Sequence, residues 1–268
     1  MTDAESTLRA GLRRASGILA GIAVHGLFAW TVWYLYWFLK GELPASGAPS
    51  LRKDLALALQ FAIPHSLLLY PTIRERLSEW IAPAFYGLFF CAATCVSLLL
   101  IVKFWEPSSV VCWQFEGLGR LLIQMAFVGS WVALLGSIRL TGFGYQTGWT
   151  PWSHWLRRRP IPRREFKPRG VYLHLRHPVY LSFLGLIWFT PVMTSDRLLL
   201  AGTWTVYIFL GSHLKDRRLE YYLGDRYREY QARVPGYPGM PFGPLARIPW
   251  NPPAPEIAEV PQVGRRAA

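Results

Sequence analysis

Long apolar blocks, divided by short polar or basic joints, organise this sequence. The first block runs from Gly17 to Leu39 and closes on the aromatic belt "WTVWYLYWFLK". A second, "LALALQFAIPHSLLLY", covers Leu55–Tyr70 and carries Pro64 and His65 inside it. Further blocks lie at Ile81–Trp105 and Leu118–Leu140, the latter with Arg120 and Arg139 at its ends, where long side chains reach back to the interface. Two shorter blocks follow at 178–193 and 198–214, joined by the polar turn "TSDR" at Thr194–Arg197 in the manner of a helical hairpin. A bilayer crossing takes about 20 apolar residues, within roughly 17–25. The pattern therefore predicts an all-α, polytopic transmembrane helical bundle of about six spans. The last two fall at or below the usual length, which tilt, extension beyond the membrane or burial against neighbours would accommodate.

Past the sixth block the period changes meaning. In "KDRRLEYYLGDRYREYQARVP", Leu219, Tyr222, Leu223, Tyr227, Tyr230 and Val234 recur at helical spacing among charges. This predicts an amphipathic cytosolic helix over 215–234, interrupted at Gly224–Asp225, that lies on the membrane surface or covers a site. From Pro235 to Ala268 proline and glycine accumulate and periodicity ends, so an irregular or disordered tail is expected. The organisation is thus a polar, basic N-terminus (1–16), a membrane domain (17–234) and a tail (235–268). The first block is too long for a cleavable signal core and lacks a small-residue cleavage site, so it reads as a retained helix.

Charge narrows the partners. Lys and Arg number 29 against 16 Asp and Glu, a formal net charge of +13. In a soluble protein this would raise nucleic acid. Here the excess sits in ends and loops beside apolar blocks, and no zinc-finger or aromatic-basic platform occurs, so the partner is a membrane's anionic lipid and not nucleic acid. The richest stretch is "RRRPIPRREFKPRGVYLHLR", Arg157–Arg176. With the N-terminus and the C-terminal segment it falls on one side of an even number of spans, which makes both termini of this multi-pass protein cytoplasmic. Cys91, Cys95 and Cys112 are odd in number and have no metal-site spacing. His174 and His177 lack third and fourth ligands at suitable spacing, so no metal site is expected.

One basic-to-apolar junction carries chemistry: "GVYLHLRHPVYLSF", Gly170–Phe183. Pro178 suits a first helical turn, where its missing N–H is unneeded. The free N–H groups and the positive dipole end there form an anion site, to which Arg176 adds a full charge and His177 a ring. Residue types alone leave two readings open. One is a carboxylate or phosphate site at the membrane boundary; the other makes Arg176 a positive-inside anchor and His177 a cap. His65 beside Pro64 has the same double reading, a buried polar group in a span or a packing residue at a kink.

Gly170-x-Tyr172 followed by "RHPVYLS" resembles the GxYxxxRHPxYxG signature of integral-membrane methyltransferases of the isoprenylcysteine carboxyl methyltransferase and phospholipid methyltransferase kind. The resemblance extends to the NnrU-like and methanethiol S-methyltransferase-like branch through "RHPVYLSFLGLIWFTPVMT", "GDRYREYQARVP" and "HSLLLYPTIRERL". It implies a helical membrane enzyme that uses S-adenosylmethionine to methylate a small thiol or lipophilic acceptor. Carried over residue by residue, it implies a donor pocket from Gly170, Tyr172, Arg176, His177, Tyr180 and Asp216, with His177 and Tyr180 orienting the acceptor. Arg176 and Asp216 would be opposite poles lining one cavity. Two positions depart from the signature: Ser182 replaces its final glycine, and Lys215-Asp216 stands where the family has two glutamates, with Glu220 one turn on. Lys215 reverses a charge beside a cationic donor, which keeps a second reading in play, a non-catalytic membrane sensor or scaffold relative.

Overall fold

A computed structural model describes residues 3–41, 50–163 and 165–250. Residues 42–49, Arg164 within the basic stretch, and the chain beyond 250, including "VGRRAA", lie outside the described residues. Ten α-helices carry the architecture among those described: α1 (Asp3–Lys40), α2 (Leu51–Leu69), α3 (Pro71–Ser78), α4 (Pro83–Phe104), α5 (Gly117–Thr141), α6 (Phe143–Gln146), α7 (Trp149–Leu156), α8 (Pro178–Trp188), α9 (Ser195–Leu223) and α10 (Asp225–Arg233). The all-α bundle of the sequence is thereby observed, and proline and glycine punctuate it. Pro71, Pro83 and Pro178 each occupy a first helical turn. Tyr70, forced extended by the following proline, bends α3 by 72° from α2. Gly142 ends α5 with φ +88°, a left-handed cap that a side chain would resist.

Three helices, α1, α4 and α5, are long and apolar enough to cross a membrane, and the bent α2–α3 pair makes a fourth if it counts as one span. The two shorter blocks fold differently from a simple hairpin. Helix α8 has 11 residues, about 16 Å at the helical rise, against roughly 30 Å of hydrocarbon. It stops at Trp188 because Pro191 cannot continue it. The chain then forms β2 (Val192–Thr194), which pairs antiparallel with β1 (Val111–Gln114). The expected "TSDR" turn is thus the end of a strand and the start of α9. Its Asp196 is buried, accepting from Trp105 Nε1 at 2.9 Å and Ser108 N at 3.1 Å. Nor does α9 divide at residue 214; it runs 29 residues to Gly224, where the anticipated break does occur.

Close approaches set the packing. Helix α5 lies on α8, α1 on α4 and α7, and α2 between α4 and α9. A Cβ on Gly87 would come within 2.6 Å of the Gly148 Cα, so α4 and the α6–α7 turn meet backbone to backbone. Gly185 likewise faces Ser130 at the α5–α8 contact. Buried Leu35, Phe38, Ile101, Leu134, Leu186 and Trp204 form the core where these helices meet. The segment after α10 is irregular, as its composition predicts, but it is packed rather than disordered as far as residue 250: Tyr237, Leu245 and Ala246 are buried.

Candidate functional site

Three side chains meet beneath that C-terminal segment. Arg176 comes from the loop before α8, His177 is the α8 N-cap, and Asp216 belongs to the last part of α9. Each is 2% exposed or less. Arg176 Nη2 lies 3.0 Å from Asp216 Oδ2, and its Nε donates to the same oxygen at 3.2 Å. Tyr227 of α10 donates to Oδ1 at 2.5 Å. His177 Nε2 lies 3.0 Å from Oδ1 but off the line of a hydrogen bond, and neither ring nitrogen has a hydrogen-bond partner.

The remaining Arg176 donors face backbone. Nη1 reaches the carbonyls of Val234 at 2.7 Å, Ala246 at 3.0 Å and Gln231 at 3.3 Å, and Nη2 reaches Pro244 at 3.4 Å. The backbone N–H groups of Arg176 and His177 donate to Pro235 and Gly236. A planar fork with five donors is the side chain that can satisfy so many acceptors at once. Residues 231–246 therefore form a strap tied over the RHP turn by a buried guanidinium. Arg176 and Asp216 are not poles on either side of a hollow, as the carried-over reading requires; they are in contact, because the strap supplies acceptors that pull the guanidinium inward.

Electrostatics follow from burial. His177 is held below its ordinary value, first by burial, and its imidazole is neutral at pH 7. Burial alone would raise the Asp216 carboxyl, but its contacts with His177, Arg176 and Tyr227 more than offset this and it sits below the usual carboxylate range. Since a neutral His177 brings no charge, Arg176 is the cation that keeps Asp216 ionised. Tyr237, pushed up to about 12 by burial, packs its ring 5.6 Å from His177 and shares a hydrogen bond with Ser212.

The other expected site residues stand around this core. Tyr180 is half-buried one turn into α8, its ring 5.6 Å from His177. Tyr172 is buried, and its carbonyl accepts from Tyr230 of α10 at 2.5 Å. Gly170 opens a single 3-10 turn at φ +57°, with Leu140 where a side chain would go, so it shapes the turn and stands apart from the cluster. Ser182, in place of the signature glycine, is buried and bonds back to the Pro178 carbonyl. Lys215 places its ammonium 5.3 Å from the centre of the Tyr180 ring.

Sequence reasoning missed the strap, Ser212 and Tyr237. Tyr227 was visible only as a helical-period residue, although its place within "GDRYREYQARVP" was a signal for the site. Beside the cluster a recess of about 370 Å³ is lined by Pro235, Tyr237, Gly239, Met240, Pro241 and Arg247.

The chain is 32% identical to Methanethiol S-methyltransferase 1 of Bradyrhizobium diazoefficiens over 241 residues, 81% of this chain and 79% of that protein. It belongs to the integral-membrane methyltransferase superfamily. Within that superfamily it is also 29% identical to Methanethiol S-methyltransferase of a Pseudomonas species, across 82% of this chain and 89% of the relative. Nurim of Rattus norvegicus is 27% identical across 72% of this chain and 83% of its own length. No family model and no solved structure matches the chain. Membership agrees with the apolar helices in making this methyltransferase-family chain an integral membrane protein.

Proposed function

We propose that this chain transfers a methyl group from S-adenosylmethionine to a small thiol. Its likeness to the methanethiol S-methyltransferases carries the reading. The residues at hand fit such a donor. A carboxylate needs a cation, and Arg247 lines the recess while Arg176 is committed to Asp216 and the strap. A sulfonium suits an aromatic face, which Tyr237 presents there. The unpartnered His177 nitrogens lie behind Tyr237. When bound, the donor supplies an electrophilic methyl carbon.

The chain's contribution is then alignment and dryness. Methyl transfer is an in-line displacement in which the acceptor sulfur–carbon bond forms as the donor's carbon–sulfur bond breaks, and the thiol proton leaves to water or a base. Most of the acceleration available to a protein here comes from orientation and exclusion of water. The strap closes the recess from one side, and Arg176 fixes the strap. In this reading His177 and Tyr180 orient the thiol.

One observation favours a second reading. Because Arg176 and Asp216 already satisfy each other, the cluster also suits a structural relative in which it only holds the strap. Titrating detergent-purified protein with S-adenosylmethionine separates the two. Saturable binding, lost in Arg247→Ala and Tyr237→Ala while thermal stability persists, together with methylation of methanethiol, supports the enzyme. Absence of binding by the folded wild type refutes it.

A further inference from the structure

A second cavity lies away from this site. It encloses about 740 Å³ between the first turns of α1 and the end of α7, and is lined by Arg9, Arg13, Arg14, Trp155, Arg158 and Arg159, with Ser6 and Ala10. We propose that it holds the phosphate headgroup of an anionic phospholipid. The inference is independent of the methyl-transfer reading.

The packing builds the cavity rather than merely collecting charge there. Trp152 donates through Nε1 to the Gly17 carbonyl at 2.9 Å, and side chains on Gly17 or Gly21 would overlap the Trp155 and Trp152 rings. These glycines bring α7 hard against α1. Arg14 then caps α7 by donating to the Leu156 carbonyl at 3.1 Å. The chain turns at Arg158 with φ +54°, which only that residue among the described non-glycines adopts, and so sets Arg158 and Arg159 facing the α1 arginines.

Among the described residues, none of Arg13, Arg14, Arg158 and Arg159 pairs with a carboxylate, and Glu5 does not line the cavity. These four like charges, converging with no described carboxylate among them, call for an anion from outside.

Depth selects the source. The apolar run of α1 begins at Gly17 and spans about 34 Å, enough for the hydrocarbon. Arg14 and Arg9 lie about 4 and 12 Å before it along the axis, within the headgroup layer. Leu8, Leu12 and Leu19 are exposed on the side of the same helix turned away from the cavity, so acyl chains lie alongside α1 at this level. At that depth the anions at hand are lipid headgroups, so a lipid is the occupant. Basic pockets at this depth between helices are the usual form of headgroup sites.

The test titrates the delipidated, full-length protein in detergent with dioctanoylphosphatidylglycerol, dioctanoylphosphatidylcholine and inorganic phosphate, read by calorimetry. Saturable binding of the phosphatidylglycerol alone is expected. The double variant R13Q/R158G should weaken it about tenfold or more, whereas R120Q at the far end of α5 should not. Glycine adopts φ +54° without strain, so Arg158→Gly alone removes one charge without loss of fold and should weaken binding by a few-fold. Equal binding of the two lipids, equal binding of inorganic phosphate, unchanged affinity in the folded double variant, or equal weakening by R120Q would each overturn the proposal.

Discussion

The Arg176 guanidinium meets the Asp216 carboxylate at 3.0 Å with both side chains buried, and the same guanidinium gathers four strap carbonyls. The pair is both a charge contact and a fastening. Removing either partner leaves the other charge buried and uncompensated, at a cost of about 3–5 kcal/mol. Asp216→Asn should lower the thermal midpoint in detergent and open residues 235–247 to limited proteolysis. Arg176→Lys should do so nearly as strongly, because an ammonium cannot reach both the carboxylate and the carbonyls. An Arg176→Lys protein as protease-resistant as the wild type would show that the strap is held by something else.

Lys215, the residue that reverses the signature's charge, is directed onto the Tyr180 ring. Such a contact is worth about 0.5–1 kcal/mol. Lys215→Met should therefore change donor affinity by no more than about fivefold and stability little. Lys215→Glu restores the family's acidic pair but sets a carboxylate against the ring and next to Asp216. Calorimetry and melting should find it the less stable of the two.

His177 provides a pH signature. Its folded value lies below the ordinary 6.5, so between the two values the unfolded chain binds more protons than the folded one. The stability it contributes is complete above about pH 6.5 and is lost as pH falls toward the folded value. Thermal midpoints measured from pH 7.5 to pH 5 should fall, and the fall should be shallower in His177→Gln. Parallel curves for the two proteins would remove His177 from the account.

Gly87 and Gly129 make a matched pair for packing. A methyl on Gly87 meets the Gly148 backbone, which cannot rotate away, whereas one on Gly129 meets nothing within 4 Å. Gly87→Ala should destabilise by about 1–3 kcal/mol. Gly129→Ala should be neutral or stabilising by up to about 1 kcal/mol through helix propensity. Equal melting of the two variants would contradict the backbone contact.

The chain by itself determined what depends on neighbours in sequence. Apolar runs specified α1, α2, α4 and α5 to within a few residues, apart from the polar extension of α1. Pro178 marked a helix start, and Gly224 marked a break, because these residues act on their own backbone. The RHP turn was legible as a cluster for the same reason. What tertiary structure decided was how the cluster is used. Nothing local says that Arg176 turns inward to Asp216, forty residues away, or that carbonyls of a proline-rich tail become its acceptors. Hydrogen-bond satisfaction of a buried guanidinium is settled only when distant segments pack, and the same closure turned an expected open cradle into a fastened one. Likewise β2 replaced the end of a predicted helix because its partner strand comes from eighty residues earlier, a pairing that no local period encodes.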